Sequence, residues 1–283
     1  MTTLTPAALG FSHAGDLAWR REQRGQLVTF RVLATLDDLM HAEALQEEVF
    51  GVTERDLIPA NELIVVAETG GAVIGAFLDD TPDHAVGVLV GWGGFVRQPR
   101  IVSDFLAVRA SARNLGLAEQ LKRLQAAIAL ERGFSEIVWT VDPLRAANAR
   151  LNFGKLGASA NEYEIDRYGA FAESLYGAMP TDRLHVAWDI GSPRVQAILR
   201  GDSIAVEPDR PAPYAPHDLR PAASIALPPD IDALVASDPA AARDWRFTLR
   251  AALQQAFADG YTITGFLPAT EADPPALLVT RPD

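Results

Sequence analysis

The 283-residue chain contains no cysteine. That removes a disulfide framework, a thiol nucleophile and any thiolate metal site, and it fits a reducing compartment. Positive charge is scarce as well: 25 Lys and Arg stand against 37 Asp and Glu, a formal net charge of -12. Nucleic acids and anionic membranes are bound mainly through clustered Lys and Arg, so this balance argues against both and leaves room only for a local basic pocket. No uninterrupted apolar run reaches membrane-spanning length, and the opening "MTTLTPAALGFSHAG" lacks the basic-then-apolar layout of a signal peptide, so the expected location is the cytoplasm. The histidines, His13, His41, His84, His185 and His217, show no close ligand spacing such as H-x-x-x-H, and no metal is expected.

What is abundant is apolar sequence, 48% of the residues, enough for one large or two modest cores. After a polar start, "QLVTFRVLAT" reads as a strand and "LDDLMHAEALQEEVFG" as a helix, with Asp37 and Asp38 in its first turn and Gly51 closing it. "ELIVVAETGGAVIGAFLDD" reads as an antiparallel hairpin turning at Gly70-Gly71. "GWGGF" is glycine-rich with no helix after it and reads as a flexible substrate-side loop. "IVSDFLAV" is then a strand, a helix runs to about Glu131 before Gly133, and "SEIVWTV" is another strand; that order makes a crossover with parallel strands. "DPLRAANARLNFGKLGA" is a short helix ending at Gly157, and "EYEIDRY" and "RLHVAWDI" are late strands.

Seven prolines between Pro208 and Pro229 mark an extended connector. Beyond it, "ASIALPP" reads as a strand. "DPAAARDWRFTLRAALQQAFADGY" reads as a helix capped by Asp238, with Pro239 in its first turn, and "TITGFLP" as a returning strand. The expected class is α/β (α+β): a mixed sheet with helices on both faces and a smaller C-terminal strand-helix-strand extension. The expected division is an N-terminal segment 1–25, a main domain 26–200, a Pro-rich connector 201–223 and a C-terminal subdomain 224–283.

The turn "RNLGLA", Arg113 to Ala118, lies between strand and helix. A helix N-terminus offers unpaired amides and the positive end of the helix dipole, so small residues there can cradle an anion, naturally a phosphate. No Gly-Lys-Ser/Thr follows, so this is no Walker loop, and the three glycines of the dinucleotide fingerprint are missing. What remains is R-x-x-G-x-A directly after "LAV".

That pattern resembles the pyrophosphate signature of the GNAT superfamily of CoA-dependent N-acyltransferases, Q/R-x-x-G-x-G/A between the fourth strand and third helix, filled here by Arg113, Gly116 and Ala118. The expected element order is the GNAT order, and "NARLNFGKLGA" resembles the family's second motif. The resemblance spans about residues 26 to 190. "WTVDPL", "PTDRLHVAWDI" and "WRFTLRAALQQAFADGY" are further similar to a GNAT branch of predicted acetyltransferases, some associated with amino-acid racemases and N-succinylation.

The resemblance implies that the amides of Asn114, Leu115, Gly116, Leu117 and Ala118, with Arg113, hold the CoA pyrophosphate, and that Leu106, Ala107 and Val108 bond the pantetheine arm. Asn148, Phe153 and Lys155 are further candidate CoA contacts. Acyl transfer from a thioester to an amine needs a neutral amine, a stabilised oxyanion and a proton for the departing thiolate. Amides near Leu106 to Val108, where neighbouring strands splay, would serve the oxyanion.

Alternation along "VSDFLAV" puts residues 102, 104, 106 and 108 on one face, making Asp104 the candidate base. Many GNAT members carry an acidic tyrosine four residues before the second motif's final Gly. That position is Phe153 here, so Tyr163, Tyr168 or Tyr176 substitutes, with Tyr168 assigned the role, or the thiolate leaves toward water. Asp142 before Pro143 reads as a turn former.

The implied activity is transfer of an acetyl, alternatively a succinyl, group from acetyl-CoA or another acyl-CoA to a small primary amine, without a metal. An amino acid held by Arg167, Arg183 or Arg246 is the preferred acceptor. A non-catalytic acyl-CoA sensor is the alternative, and a homodimer is allowed.

Overall fold

The computed structural model describes residues 4–52, 56–169, 179–202 and 210–281; Tyr176 lies outside them. In chain order the elements begin with β1 (Ser12–Gly15), β2 (Ala18–Gln23), β3 (Gln26–Val32), α1 (Leu36–Phe50), α2 (Ala60–Leu63), α3 (Val65–Glu68), β4 (Ala72–Leu78) and β5 (Thr81–Phe95). They continue with β6 (Pro99–Val108), a 3-10 turn (Ala110–Leu115), α4 (Leu117–Glu131), β7 (Glu136–Val141), α5 (Ala146–Ala149) and a π turn (Arg150–Lys155). Then follow β8 (Ser159–Glu164), β9 (Arg183–Asp189), α6 (Pro193–Arg200), β10 (Ala222–Ala226), α7 (Ile231–Ser237), α8 (Pro239–Ala258), β11 (Thr262–Leu267) and β12 (Ala276–Thr280). The chain folds into two compact units, unit 1 from Met1–Val138 and Asp189–Arg200, unit 2 from Trp139–Trp188 and Gly201–Asp283.

Unit 1 is a mixed sheet in the order β1 to β7, antiparallel throughout except for the parallel β6–β7 pair. Its two faces are read from alternation on β5. Val88 and Val90 join Leu39, Ala42 and Leu45 of α1 in one buried cluster with Val73 and Ala107. Gly91, next after Val90, faces α4, where a Cβ on it would stand 2.3 Å from Gln125 Nε2. Helices therefore cover both faces, as the sequence predicts. The ends of α1 also follow local chemistry: Thr35 Oγ1 accepts from Asp38 N at 3.2 Å, and Gly51 closes the helix in the left-handed region at φ 65°.

Two sequence readings are corrected. The run predicted as a hairpin through Gly70-Gly71 is helical in its first half, α2 and α3, and the actual hairpin joins β4 to β5. Leu63 and Val66 are buried in the α1 cluster, and that packing selects helix for a segment whose composition suits a strand. "GWGGF" is the end of strand β5 and not a flexible loop. Its glycines answer close approaches, since a Cβ on Gly93 would fall 1.6 Å from Thr69 O. The polar start also contains strands β1 and β2, which the sequence reading left out.

Unit 2 holds an antiparallel sheet ordered β9-β8-β11-β12-β10. α8 begins as its sequence predicts, with Asp238 Oδ1 accepting from Ala241 N at 3.0 Å and Pro239 in the first turn. β12, which the sequence reading missed, pairs with both β10 and β11. The edge-to-face Trp139–Trp188 pair, 6.0 Å between centroids, and the bond from Trp188 Nε1 to Leu156 O at 2.8 Å fix the chain around the π turn. Among the described residues, no helix is long and apolar enough to cross a membrane.

Candidate functional site

At the end of β6 the chain passes through the 3-10 turn into α4. Arg109 anchors the start, its N bonded to Val86 O at 2.9 Å and its Nε to Ala85 O at 2.8 Å. Gly116 sits at φ 73°, ψ 21°, and a Cβ there would meet no atom within 4 Å. Glycine is thus favoured by the backbone conformation, and the space beside it is open. Leu117 and Leu121 are buried at 1% and 0% exposure and pin the start of α4.

No side chain caps this helix, and its first bond is from Gln120 N to Gly116 O at 3.4 Å. The amides of Leu117 and Ala118 consequently have no intrahelical acceptor, and the positive end of the dipole adds to them. Arg113 and Asn114 are exposed beside them, and among the described residues Arg113 has no carboxylate partner. Glu119 is drawn to Arg123 at 3.1 Å, which offsets the negative charge of this first turn. The turn can hold a dianionic group on backbone amides and one guanidinium.

The strand before the turn is interrupted. Along β5–β6, Leu89 pairs with Leu106 but Gly91 pairs with Ser103, so Asp104 and Phe105 together oppose Val90. This is a β-bulge, which leaves a backbone group outside the ladder and re-aims the side chains. It corrects the predicted alternation: Asp104 does not share a face with Leu106 and Val108. Asp104 is exposed and turns with Trp92 to the α1 face, where Trp92 Nε1 donates to Asp104 Oδ2 at 3.0 Å. The parallel ladder to β7 consists of Ile101↔Ile137 and Val102↔Val138, while Leu106, Ala107 and Val108 pair with β5.

Behind the bulge, on the α4 face, lies a buried polar group. Lys122 Nζ donates to Ser103 Oγ at 2.9 Å, and Ser103 Oγ donates to Gln125 Oε1 at 3.1 Å. Burial brings the Lys122 ammonium down to about 7. Nothing in the sequence alone marks Lys122, because it sits in an amphipathic helix among other charged residues.

The remaining sequence candidates fall in unit 2. Asn148 is half-buried on α5, Lys155 is exposed at the end of the π turn, and Phe153 is buried at 3% exposure. Tyr163 OH donates to Asp182 Oδ2 at 2.6 Å, and burial together with that carboxylate drives its phenol upward, away from the range of a useful acid. Tyr168 is 41% exposed, its N donates to Thr181 Oγ1 at 2.9 Å, and the Arg183 guanidinium lies over its ring at 5.1 Å.

The arginines expected to read a carboxylate are engaged within the chain. Arg246 grips Asp142 with two bonds of 2.9 and 3.0 Å, Arg183 lies 3.9 Å from the same Asp142, and Arg167 bonds Glu164 at 2.5 Å. That removes the basis for assigning them an amino-acid carboxylate. Asp142 is a turn former as well, since Oδ1 accepts from Leu144 N at 3.0 Å.

Residues 30–157 match the model of the Acetyltransferase (GNAT) family. That match takes in the segment that carries the bulged strand, the glycine turn and α4. Similar solved structures include an N-acetyltransferase from Staphylococcus aureus Mu50, 19% identical, with a TM-score of 0.46 over 58% of this chain and 98% of that one. A GNAT-family acetyltransferase from Streptococcus pneumoniae is 17% identical, TM-score 0.45, over 56% and 97% of the two chains. Arabidopsis thaliana Naa50 in complex with the bisubstrate analogue CoA-Ac-MVNAL is 17% identical, TM-score 0.44, again over 56% and 97%. No curated protein matches the sequence.

Proposed function

We propose that the chain is an N-acyltransferase that moves an acetyl group from acetyl-CoA to a small primary amine by direct attack. The observation that carries this reading is the open turn at Gly116, with uncapped amides of α4 and the exposed Arg113 side by side. The turn amides up to Ala118, with Arg113, hold the pyrophosphate. Leu106 to Val108 run alongside the pantetheine arm, and the bulge directs a backbone N–H at the thioester oxygen.

In the step itself, the amine nitrogen attacks the thioester carbonyl. A C–N bond forms, the C–S bond breaks on collapse of the tetrahedral adduct, and CoA departs as a thiolate. The amine arrives as an ammonium and loses one proton before attack and a second after it. Asp104, directly or through water, receives the first, and one proton returns to the thiolate from solvent.

A second reading has specific support. Phe153 stands where many family members carry a tyrosine, and the phenol of Tyr163 is bonded to Asp182. A chain that keeps acyl-CoA but turns nothing over would be a sensor. Calorimetric titration with acetyl-CoA, followed by thiol release against primary amines, polyamines, aminoglycosides and amino acids, separates the readings. We expect micromolar binding and amine-dependent thiol release. Asp104→Asn should depress turnover chiefly at low pH, where the acceptor is almost wholly protonated. Tight binding with no release on any amine would establish the sensor, and no binding would remove both readings.

A further inference from the structure

We propose that Trp92 is a positioning residue that orients the Asp104 carboxylate toward the acceptor ammonium, and that the Phe50–Phe105 pair beside it selects an amine carried on an apolar, aromatic body. The proposal rests on the acyltransferase reading for the role of Asp104, and on geometry for the rest. Asp104 Oδ2 accepts from the Trp92 indole at 3.0 Å, which leaves the other carboxylate oxygen for a cation. The bulge at Asp104-Phe105 adds Phe105 to the α1 face that Asp104 shares with Val102, and there Trp92 and Phe105 pack partly against the core cluster. Phe50, the last residue of α1, meets Phe105 edge to face at 6.2 Å and remains 45% exposed. Val102, paired with Trp92 across the strands, is 40% exposed.

One carboxylate among aromatic rings suits one ammonium, because ring faces attract a cation and cover the carbon attached to it. A free amino acid would bring its own carboxylate toward Asp104, and a polyamine would bring a second charge over an apolar wall. The charge next along this face of β6, Arg100, lies 3.9 Å from Glu136.

The test uses the full chain saturated with CoA, titrated calorimetrically with 2-phenylethylamine, spermidine and glycine, and assayed with acetyl-CoA and each amine. We expect 2-phenylethylamine to bind tightest and Asp104→Asn to weaken it. Trp92→Phe keeps a ring but loses the N–H donor. It should lower kcat about tenfold while KM for 2-phenylethylamine and CoA affinity stay unchanged, because the carboxylate loses the donor that orients it and keeps its charge. A merely structural Trp92 would lower the denaturation midpoint without separating kcat from KM. Phe50→Ala should raise KM for 2-phenylethylamine about tenfold and leave ethylamine unaffected.

The proposal is overturned if spermidine or glycine binds tighter, if 2-phenylethylamine does not bind, or if Trp92→Phe leaves kcat in place. Binding of 2-phenylethylamine that depends on Asp104 but yields no thiol would sink the acyltransferase reading and leave the subsite. Acetylation indifferent to Trp92→Phe and Phe50→Ala would do the reverse.

Discussion

In unit 2, Arg246 and Arg250 are locked onto Asp142 and Asp182, with Arg246 at 2% and Asp182 at 0% exposure, whereas in unit 1 Arg113 stands exposed beside uncapped helix amides. Both regions concentrate positive charge in an acidic chain. They differ in whether the chain supplies the anion itself. Where a carboxylate is already bonded, as Asp182 is by Arg250 at 2.7 and 2.8 Å and by Tyr163, the charges organise structure. Where donors are left without an acceptor, as at Leu117 and Ala118, the proposed anion is an external one. Charge content alone does not distinguish a site from a scaffold; partner accounting does.

The sharpest way to break this comparison is to remove one charge from each region. Arg250→Ala should cost about 3 kcal/mol of stability, read as a lower denaturation midpoint, because the fully buried Asp182 loses its bidentate partner. Acetyl-CoA affinity should be untouched. Burial raises the Asp182 carboxyl, but the bonds from Arg250 and Tyr163 outweigh it and hold the group below its ordinary value. Its contribution is present above the ordinary carboxylate range and is lost as pH falls through the lowered value, so the variant should lose the least relative to the parent in acid.

Gly116→Asp should reverse the pattern, with acetyl-CoA affinity falling at least about a hundredfold, roughly 2.7 kcal/mol by calorimetry. The fold should survive with a loss of ~1 kcal/mol, since the left-handed conformation is strained for Asp but the space is open. Gly116→Asn, equally strained and uncharged, should retain most of the affinity. Equal losses for Asp and Asn would mean that backbone shape, not charge, governs the turn. Arg113→Ala should weaken binding about tenfold, near 1.5 kcal/mol, with an unchanged midpoint.

The smallest effect belongs to Lys122. Burial lowers it from 10.5 to about 7, so between those values the unfolded chain binds more protons than the folded one, and stability rises with pH across that window. Lys122→Met should flatten this rise in denaturant melts run from pH 6 to 10. A variant with the same slope as the parent would show that Lys122 is charged in the fold.

Much of this was legible in the sequence because it is local. Thr35 and Gly51 frame α1, Asp238 and Pro239 open α8, and Gly116 precedes a strong amphipathic run; caps, left-handed glycines and periodicity act within a few residues of one another. The glycine turn, the crossover from β6 through α4 to β7, and the mixed sheet covered on both faces follow from such signals. The sequence also determined that no cysteine thiol of the chain takes part and that acidic residues outnumber basic ones.

Tertiary structure decided the rest. Residues 60 to 68 became helical because Leu63 and Val66 pack into a core supplied by distant elements, and the glycines of "GWGGF" serve approaches by Thr69 and Gln125 that no local pattern announces. The bulge arises from the register of β6 against β5, and it alone puts Leu106 and Val108 on the face opposite Asp104 and Trp92. The arginines that sequence offers as carboxylate readers are consumed by Asp142 and Glu164, because pairing depends on which charges the fold brings within about 3 Å, a distance that no spacing along the chain records.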